Sequence, residues 1–271
     1  MASARPRAFV TGASAGIGVA FAERLAKEGY DLTIAARRRD RLETVAERLR
    51  RQDGVAVEVV CADLSQPDGL EKVQASVARD DRLALLVNNA GFGGYKPFAG
   101  IDTKVMDGLI DVHIRAVAHL TRVALPGMIR RDKGAIINIA SLLALSAAMP
   151  PNPLPYRATY AAAKAFILAF TQALAGELTG ANVQVQACLP GRVLTEFHTS
   201  QGIDISKLPP MMSPQDVVTA SLAALKLKEI VCVPALPDIA TFERVAEAQA
   251  AVMASAALQP LAARRYLTGP A

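Results

Sequence analysis

The 271-residue sequence contains no tryptophan, and aromatic residues make up only 5% of it. Proteins that bind single-stranded nucleic acid rely on aromatic side chains as stacking platforms. The composition therefore argues against a nucleic-acid partner, although the net charge is +5. Cysteine is also scarce, and the three residues Cys61, Cys188 and Cys232 are too widely spaced for a disulfide framework or a zinc site. Each lies in an apolar run, so we expect three buried strand thiols.

Long hydrophobic runs are absent as well. The most apolar stretch, 134–150, is interrupted by Asn138, Ser141 and Ser146 and falls short of the roughly 18 apolar residues that suggest a membrane helix. The basic N-terminus is followed by a short apolar run that stops at Thr11, which does not fit a signal peptide. The three histidines have no suitably spaced acidic partners, so no metal site is predicted. We expect a cytoplasmic protein without a membrane partner.

What is present is a regular alternation of short apolar segments with longer amphipathic ones. The composition, 52% hydrophobic and 20% charged, excludes intrinsic disorder, and the length suits one large domain. The predicted strands are 7–10, 31–36, 56–61, 83–87, 135–139, 183–188 and 229–233. The predicted helices are 13–29, 39–52, 70–78, 105–129, 159–178 and 214–225. This order predicts an α/β Rossmann fold, a doubly wound seven-stranded parallel sheet with helices on both faces, formed by residues 1–271 as a single domain.

Two long irregular segments interrupt this alternation, 142–158 and 194–213, and both are rich in proline. Loops of this length inside a compact domain are usually functional. In a doubly wound sheet they lie beyond the carboxyl ends of the strands, where ligands bind. We therefore predict that both are substrate loops.

A glycine-rich turn, Thr11-Gly-Ala-Ser-Ala-Gly-Ile-Gly18, follows the first strand and opens the first helix. Glycines allow the backbone to approach a ligand, and the helix N-terminus suits a pyrophosphate. The spacing resembles that of the classical short-chain dehydrogenases/reductases, and four further motifs in the same order strengthen the resemblance. These are Asp63-Leu64, the sequence NNAG at 88–91, the pattern YxxxK at 160–164 and the pattern PGxxxT at 190–195.

The resemblance implies a nicotinamide cofactor bound along these motifs. The implied cofactor-binding residues are Gly12, Ser14, Ala15, Gly16, Ile17, Gly18, Arg37, Arg38, Asp63, Leu64, Asn89, Ala90, Gly91, Tyr160, Lys164, Pro190, Gly191, Val193 and Thr195. The second strand ends in Ala35-Ala36 and is followed by arginine rather than by the acid that usually holds the ribose hydroxyls of NAD. Because guanidinium groups bind phosphate through paired hydrogen bonds, we predict NADP(H), with Arg37 as the principal contact and Arg38 as a second.

The catalytic group implied by the resemblance is Ser141, Tyr160 and Lys164. Tyr160 and Lys164 are four residues apart on a predicted helix and so share one face. We expect the ammonium of Lys164 to lower the pKa of Tyr160, so that the phenol exchanges a proton with the substrate. Ser141 would hydrogen-bond the substrate oxygen.

Two features depart from the family pattern. The interval from Ser141 to Tyr160 is longer than usual by roughly six residues, which predicts a reshaped pocket. His113 stands where the family usually has a catalytic asparagine, and it is included among the predicted catalytic residues. Three interpretations stay open: its backbone carbonyl serves as that of the asparagine does, its side chain joins a proton relay, or it is a tolerated substitution that slows turnover.

The predicted pocket is apolar, and its principal walls are Leu142, Leu143, Phe92 and Phe197. Further candidates are Leu145, Met149, Met211, Met212 and Tyr95. The sequence thus predicts an NADP(H)-dependent oxidoreductase that acts on a carbonyl or secondary alcohol, with a hydrophobic ketone or aldehyde as substrate. The alternative is a catalytically impaired NADP-binding sensor or regulatory protein. The resemblance also implies a homodimer or homotetramer, and segment 242–266, helical in composition, either caps the cleft or extends an interface.

Overall fold

The computed structural model describes residues 5–150, 156–257, 259, 262, 263 and 266. The part of the predicted loop 142–158 that spans 151–155 lies outside the described residues. The chain divides into two compact units, Met1–Pro234 and Ala235–Ala271. The second unit contains helix α9, Ala240–Ala256, which confirms the helical composition for the first part of segment 242–266.

The first unit is built on a seven-stranded parallel sheet. Its strands are β1 Arg7–Thr11, β2 Asp31–Ala36, β3 Val57–Cys61, β4 Leu83–Asn88, β5 Gly134–Ile139, β6 Val183–Cys188 and β7 Val231–Cys232. The order across the sheet is β3-β2-β1-β4-β5-β6-β7, and every neighbouring pair is parallel. The direction of winding reverses between β1 and β4, which opens a crevice at the carboxyl ends of these strands. The predicted Rossmann fold is confirmed.

Helices cover both faces of this sheet. They are α1 Gly16–Lys27, α2 Arg39–Asp53, α3 Pro67–Ala78, α4 Thr103–Ile110, α5 Ala116–Arg130, α6 Ala158–Glu177, α7 Glu196–Thr199 and α8 Pro214–Lys226. Apolar side chains of α1, α2 and α8 form one core with the sheet, and those of α3, α5 and α6 form a second. The continuous apolar strands supply both cores, as expected for a sheet that is buried on two sides.

The predicted helix 105–129 is in fact two helices joined by a π-helical turn, Asp111–Arg115. A π turn accommodates an extra residue, and such turns are often found at functional sites. Here the turn contains His113, which is 1% exposed. Hydrophobic spacing alone predicted the helical extent and gave no sign of the turn.

A buried ladder of polar side chains ties the middle of the sheet to the helices on one face. Asn88 Nδ2 donates to Asn138 Oδ1 at 2.9 Å and to Thr121 Oγ1 at 3.3 Å. Asn138 Nδ2 donates in turn to Thr171 Oγ1 at 3.0 Å. These contacts connect β4 and β5 to α5 and α6, because buried amides require partners. The first asparagine of the NNAG motif thus helps to hold the centre of the sheet together.

The burial of one cysteine corrects an expectation. Cys188 and Cys232 are buried, but Cys61 is only half-buried, since it lies at the end of β3 beside Arg37.

Among the described residues, α6 is long and apolar enough to cross a membrane, judged by length and composition only. Its packing against β6 and its buried Tyr160, Lys164 and Thr171 are those of a core helix.

Candidate active site

A cleft of about 1180 Å³ runs along the carboxyl ends of the strands. It begins beside Arg38 and Asp63, passes the glycine-rich turn and ends beside Tyr160 and Phe197. The cleft therefore has a polar end that borders β2 and β3 and an aromatic end that borders α6.

Thr11, the last residue of β1, holds the glycine-rich turn against the segment after β4. Its hydroxyl donates to the carbonyl of Val87 at 3.3 Å and accepts the backbone N–H groups of Asn89 at 2.9 Å and Ala90 at 3.0 Å. Asn89 Nδ2 donates back to the carbonyl of Thr11 at 2.9 Å. Thr11 belongs to the glycine-rich motif but is not among the predicted site residues, because its hydroxyl acts on the neighbouring segment and not on a ligand.

The turn leaves the start of α1 open to a ligand. No side chain of the described residues caps α1 at Ala15, so its first N–H groups face the cleft unpaired by a cap. Gly16 has φ +55°, and a Cβ there would lie 2.9 Å from Cγ2 of Thr195. A Cβ at Gly18 would lie 2.4 Å from the carbonyl oxygen of Gly12, so Gly18 packs behind the turn and does not line the cleft. The open helix N-terminus fits the pyrophosphate of a dinucleotide.

Arginines surround the polar end of the cleft. Arg38 donates from Nε and Nη2 to Ser14 Oγ at 3.3 and 3.1 Å, and its Nη1 donates to Glu196 Oε2 at 3.0 Å. Arg37 is mostly exposed and lies 3.8 Å from Asp63 Oδ2. Both guanidinium groups line the cleft, and no carboxylate follows β2 directly. The donor set at this end therefore suits an anionic group such as a ribose phosphate.

Ser141, Tyr160 and Lys164 come together at the aromatic end. Ser141 follows β5, and its Oγ accepts the N–H of Leu143 at 3.2 Å. Tyr160 and Lys164 lie on the first turns of α6, with Lys164 Nζ 5.6 Å from the centre of the Tyr160 ring. Lys164 Nζ also donates to the carbonyl of Ile139 at 2.8 Å. Both side chains are almost fully buried.

This burial dominates the titration of the pair. It lowers the pKa of Lys164 from 10.5 to about 7, because a desolvated ammonium is unfavourable. It raises the pKa of Tyr160 well above its usual value; the nearby Tyr95 adds to the rise, and a hydrogen bond with Ser141 opposes it. The expected lowering of the Tyr160 pKa is therefore wrong: the pKa is raised, because desolvation by burial is the largest influence on the phenol.

His113 packs against the same tyrosine. Its ring centre lies 5.6 Å from that of Tyr160, and its Nε2 lies 2.9 Å from the carbonyl oxygen of Phe92. Among the described residues its buried Nδ1 has no hydrogen-bond partner. Burial and then the charge of Lys164 lower the pKa of the imidazole well below its ordinary value. His113 is therefore neutral at physiological pH.

Tyr95 and Phe197 form an aromatic cluster with the ring of Tyr160. Tyr95 lies 5.4 Å from Tyr160 and 6.3 Å from Phe197, and Phe197 lies 5.8 Å from Tyr160, all between ring centres. Burial raises the pKa of Tyr95 to about 12. Tyr95 is predicted only as a further candidate wall, because nothing in its local sequence pattern indicates that the loop after β4 folds back over α6.

Nearly all of the predicted positions line this one cleft. They are Gly12, Ser14, Ala15, Gly16, Ile17, Arg37, Arg38, Asp63, Leu64, Asn89, Ala90, Gly91, Phe92, His113, Ser141, Leu142, Leu143, Leu145, Met149, Tyr160, Lys164, Pro190, Gly191, Val193, Thr195 and Phe197. Met211 and Met212 do not line it, which corrects their assignment as pocket walls. Met212 instead packs on the core beside α8 and pairs with Val193 through the backbone.

One arginine at the rim was missed altogether. Arg157, which precedes α6, donates to Ser146 Oγ at 3.1 Å and to the carbonyls of Ser146, Met149 and Pro150 at 3.0, 2.7 and 3.3 Å. A guanidinium with its donors spread in a plane can hold several carbonyls at once. Arg157 therefore fastens the first part of the loop after Ser141 to the helix that carries Tyr160.

Comparison with known proteins agrees with this arrangement. The family model described as short chain dehydrogenase matches residues 6–205. The very-long-chain 3-oxoacyl-CoA reductase of Anas platyrhynchos is 33% identical over 226 residues, which cover 82% of this chain and 69% of the relative.

Two solved structures are similar over almost the whole chain. A short-chain dehydrogenase from Sphingobium yanoikuyae in complex with NADPH is 36% identical, with a TM-score of 0.90, and the match covers 96% of this chain and 100% of that one. The bulky-bulky ketone specific alcohol dehydrogenase from Comamonas testosteroni is 32% identical, with a TM-score of 0.86, over 97% of this chain and 99% of that one.

Proposed function

The chain belongs to the short-chain dehydrogenase/reductase family of nicotinamide-dependent oxidoreductases, and on that premise we propose that it is an NADP(H)-dependent carbonyl reductase for a hydrophobic ketone or aldehyde. The observation that carries the proposal is the convergence of Ser141, Tyr160 and Lys164 at one end of a cleft whose other end holds Arg37 and Arg38. When bound, the nicotinamide would supply or accept the hydride.

Each side chain has a distinct task in this proposal. Ser141 Oγ orients the substrate carbonyl towards Tyr160. The phenol of Tyr160 donates a proton to the carbonyl oxygen during reduction, and its high pKa keeps it protonated at neutral pH. Lys164 is held by the carbonyl of Ile139 beneath the tyrosine ring, in position to bind the ribose of the cofactor.

The cofactor would lie along the cleft with its pyrophosphate at the start of α1. Arg37 and Arg38 are proposed to bind the ribose 2′-phosphate, and the absence of an acid after β2 disfavours NAD. The relative from Sphingobium yanoikuyae was solved with NADPH, which supports the same choice. Arg37→Ala and Arg38→Ala should each weaken NADPH binding by about tenfold to a hundredfold, since hydrogen bonds to charged groups contribute about 1.5–3 kcal/mol.

That prediction has a matched control. Arg39 opens α2 but pairs with Glu43 at 3.5 Å and does not line the cleft, so Arg39→Ala should leave the affinity nearly unchanged. NADH binding should change little in all three variants. Equal losses of NADPH and NADH affinity would contradict the assigned phosphate contact.

The substrate class is proposed from the walls of the cleft. Leu142, Leu143, Phe92, Tyr95 and Phe197 line its reactive end and present apolar surface, which favours a bulky hydrophobic carbonyl compound over a sugar or an acid. Similar proteins are described as acting on very-long-chain 3-oxoacyl-CoA and on bulky ketones.

The enzyme assay is NADPH consumption with a panel of aryl ketones, aliphatic ketones, aldehydes and 3-oxoacyl thioesters. Tyr160→Phe should abolish turnover while NADPH binding persists. Tyr30→Phe removes a hydroxyl far from the cleft and serves as the control. If the wild-type protein binds NADPH but turns over none of the panel, the alternative of a catalytically impaired sensor gains support.

We also propose a homodimer or homotetramer that acts in the cytoplasm. The outer face of α6 carries small or apolar side chains at Ala162, Phe166, Ala169 and Phe170, of which the alanines are exposed and the two rings stack at 5.6 Å. An apolar helix face of this kind suits an interface with a second copy. Sedimentation of the wild type and of Ala169→Glu tests it: the charge should shift the protein to monomer.

A further inference from the structure

Glu196, the first residue of α7, reaches from the substrate loop to α2 across the polar end of the cleft. Its Oε2 accepts from Arg38 Nη1 at 3.0 Å, and its Oε1 accepts from Arg41 Nη1 at 2.5 Å. Arg38 simultaneously donates to Ser14 Oγ on the glycine-rich turn. The guanidinium of Arg38 thereby joins the glycine-rich turn to the first residue of α7.

Two guanidinium groups, those of Arg38 and Arg41, bind the carboxylate of Glu196 in the way that they would bind the anionic group of a ligand. Hydrogen bonds from Arg41 and then Arg38 hold the pKa of this carboxyl below its ordinary value, so it is ionised at neutral pH. Both ion pairs are about half-exposed, and pairs of that kind are weak enough to exchange with another anion. A phosphate monoester, with a charge of about −1.5 to −2, offers Arg38 more charge and more acceptor oxygens than one carboxylate does.

The position of Glu196 in the chain links this exchange to the substrate loop. Thr195, its neighbour, packs against Gly16 at the start of α1 and caps α7 by accepting the N–H of Phe197 at 3.2 Å. Phe197 in turn contacts Tyr160. The ion pair with Arg38 therefore fixes the same short helix that contributes a wall of the substrate pocket.

We propose that Glu196 is a specificity-determining residue, an internal anion that competes with the ribose 2′-phosphate of NADP(H) for Arg38 and gives up that contact when the phosphate binds. The inference rests on the proposed cofactor preference. NADH, which has no such phosphate, leaves the ion pair in place. Competition thus lowers the affinity for NADPH below the value that the arginines alone would give.

The test compares Glu196→Gln with Glu43→Gln in titrations followed by NADPH fluorescence. Glu43 pairs with Arg39 on the same helix, so the control removes the same charge without touching Arg38. Glu196→Gln should tighten NADPH binding by about threefold to fivefold, the upper part of the range for one half-exposed ion pair, since only the contact with Arg38 competes with the phosphate. NADH affinity should change less than about twofold in both variants, and Glu43→Gln should leave NADPH affinity within about twofold of the wild type.

A second readout does not need the nicotinamide. Adenosine 2′-monophosphate should bind Glu196→Gln more tightly than the wild type, whereas adenosine 5′-monophosphate should not distinguish them. Glu196→Ala should reproduce both results, which separates competition from any new contact made by glutamine. The gain should shrink as salt rises, since exposed charges are screened.

The outcomes separate the two proposals. Unchanged or weaker NADPH binding in Glu196→Gln, with a wild type that still prefers NADPH, overturns the competition and leaves the proposed function intact. A wild type that binds NADPH no better than NADH overturns the cofactor preference, and the inference falls with it. Tighter binding of NADPH and NADH alike also overturns the inference, because the effect would then not involve the 2′-phosphate.

Discussion

Lys164 should reduce the stability of the fold that contains it, and this can be measured. The side chain is 3% exposed, and burial lowers its pKa from 10.5 to about 7. Each pKa unit corresponds to about 1.4 kcal/mol, so at pH 6 the protonated lysine costs the folded state about 5 kcal/mol relative to the unfolded chain. The cost decreases as pH rises through 7 and nearly disappears by pH 10.5, where the unfolded chain also loses the proton.

Lys164→Met should therefore be more stable than the wild type at low pH. The substitution also leaves the carbonyl of Ile139 without its donor at 2.8 Å, a loss of about 1–3 kcal/mol. The net expectation is a gain of about 2–4 kcal/mol at pH 6 and a loss of up to about 2 kcal/mol at pH 10. Urea unfolding followed by circular dichroism at pH 6, 8 and 10 measures the difference, while turnover should be lost at every pH.

Lys72→Met is the control for this experiment. Lys72 Nζ donates to the carbonyl of Cys61 at 3.1 Å, so it makes the same kind of contact, but it is exposed. Its replacement should change the free energy of unfolding by less than about 0.5 kcal/mol at each pH. If Lys164→Met shifts stability equally at pH 6 and pH 10, the lysine is not desolvated and the reasoning is refuted.

Three further expectations concern the surroundings of the site. Nitrogen NMR should find the His113 ring neutral from pH 6 upwards, because burial lowers its pKa; a titration near pH 6.5 would contradict this. Arg157→Met should raise KM several-fold with a smaller change in kcat, and it should speed hydrogen exchange around Ser146, because the loop loses its contacts with the guanidinium. A fall in kcat with KM unchanged would show that Arg157 does not hold the loop in place. Asn138→Leu should lower the free energy of unfolding by about 2–4 kcal/mol, because it strips partners from Asn88 and Thr171 in the core; a urea midpoint like that of the wild type would disprove the ladder.

The fold could be predicted from the sequence because its elements follow local patterns. Strands buried on both faces read as apolar runs, and most predicted boundaries fall within about three residues of those observed. The π turn at Asp111–Arg115 was missed, because one inserted residue scarcely disturbs the spacing of apolar residues in a long helix. The half-buried state of Cys61 was missed for a similar reason: the end of a strand looks like its middle in sequence.

The positions of the cleft were predictable where a motif carries them and not elsewhere. The site positions of Thr195 and Lys164 could be predicted from the spacing within short motifs. The pKa of Tyr160 could not, because it depends on how far the folded chain excludes water from the phenol. Tyr95 reaches the site through a loop whose path is set by tertiary packing.

Contacts that cross the cleft are the hardest class to predict, and they are the ones that carry the further inference. Arg38 and Glu196 are 158 residues apart, and each has an unremarkable local sequence: an arginine in a basic run and a glutamate after a threonine. Only the reversal of winding between β1 and β4 brings α2 and the loop after β6 to the same opening. An arginine identified from sequence as a phosphate ligand can thus be paired already in the folded protein, and its affinity for phosphate is then set jointly by the guanidinium and by the acid that must leave it. The preference for NADPH over NADH in such a site should therefore depend on the identity of the residue after the PGxxxT motif, as well as on the residues after the second strand.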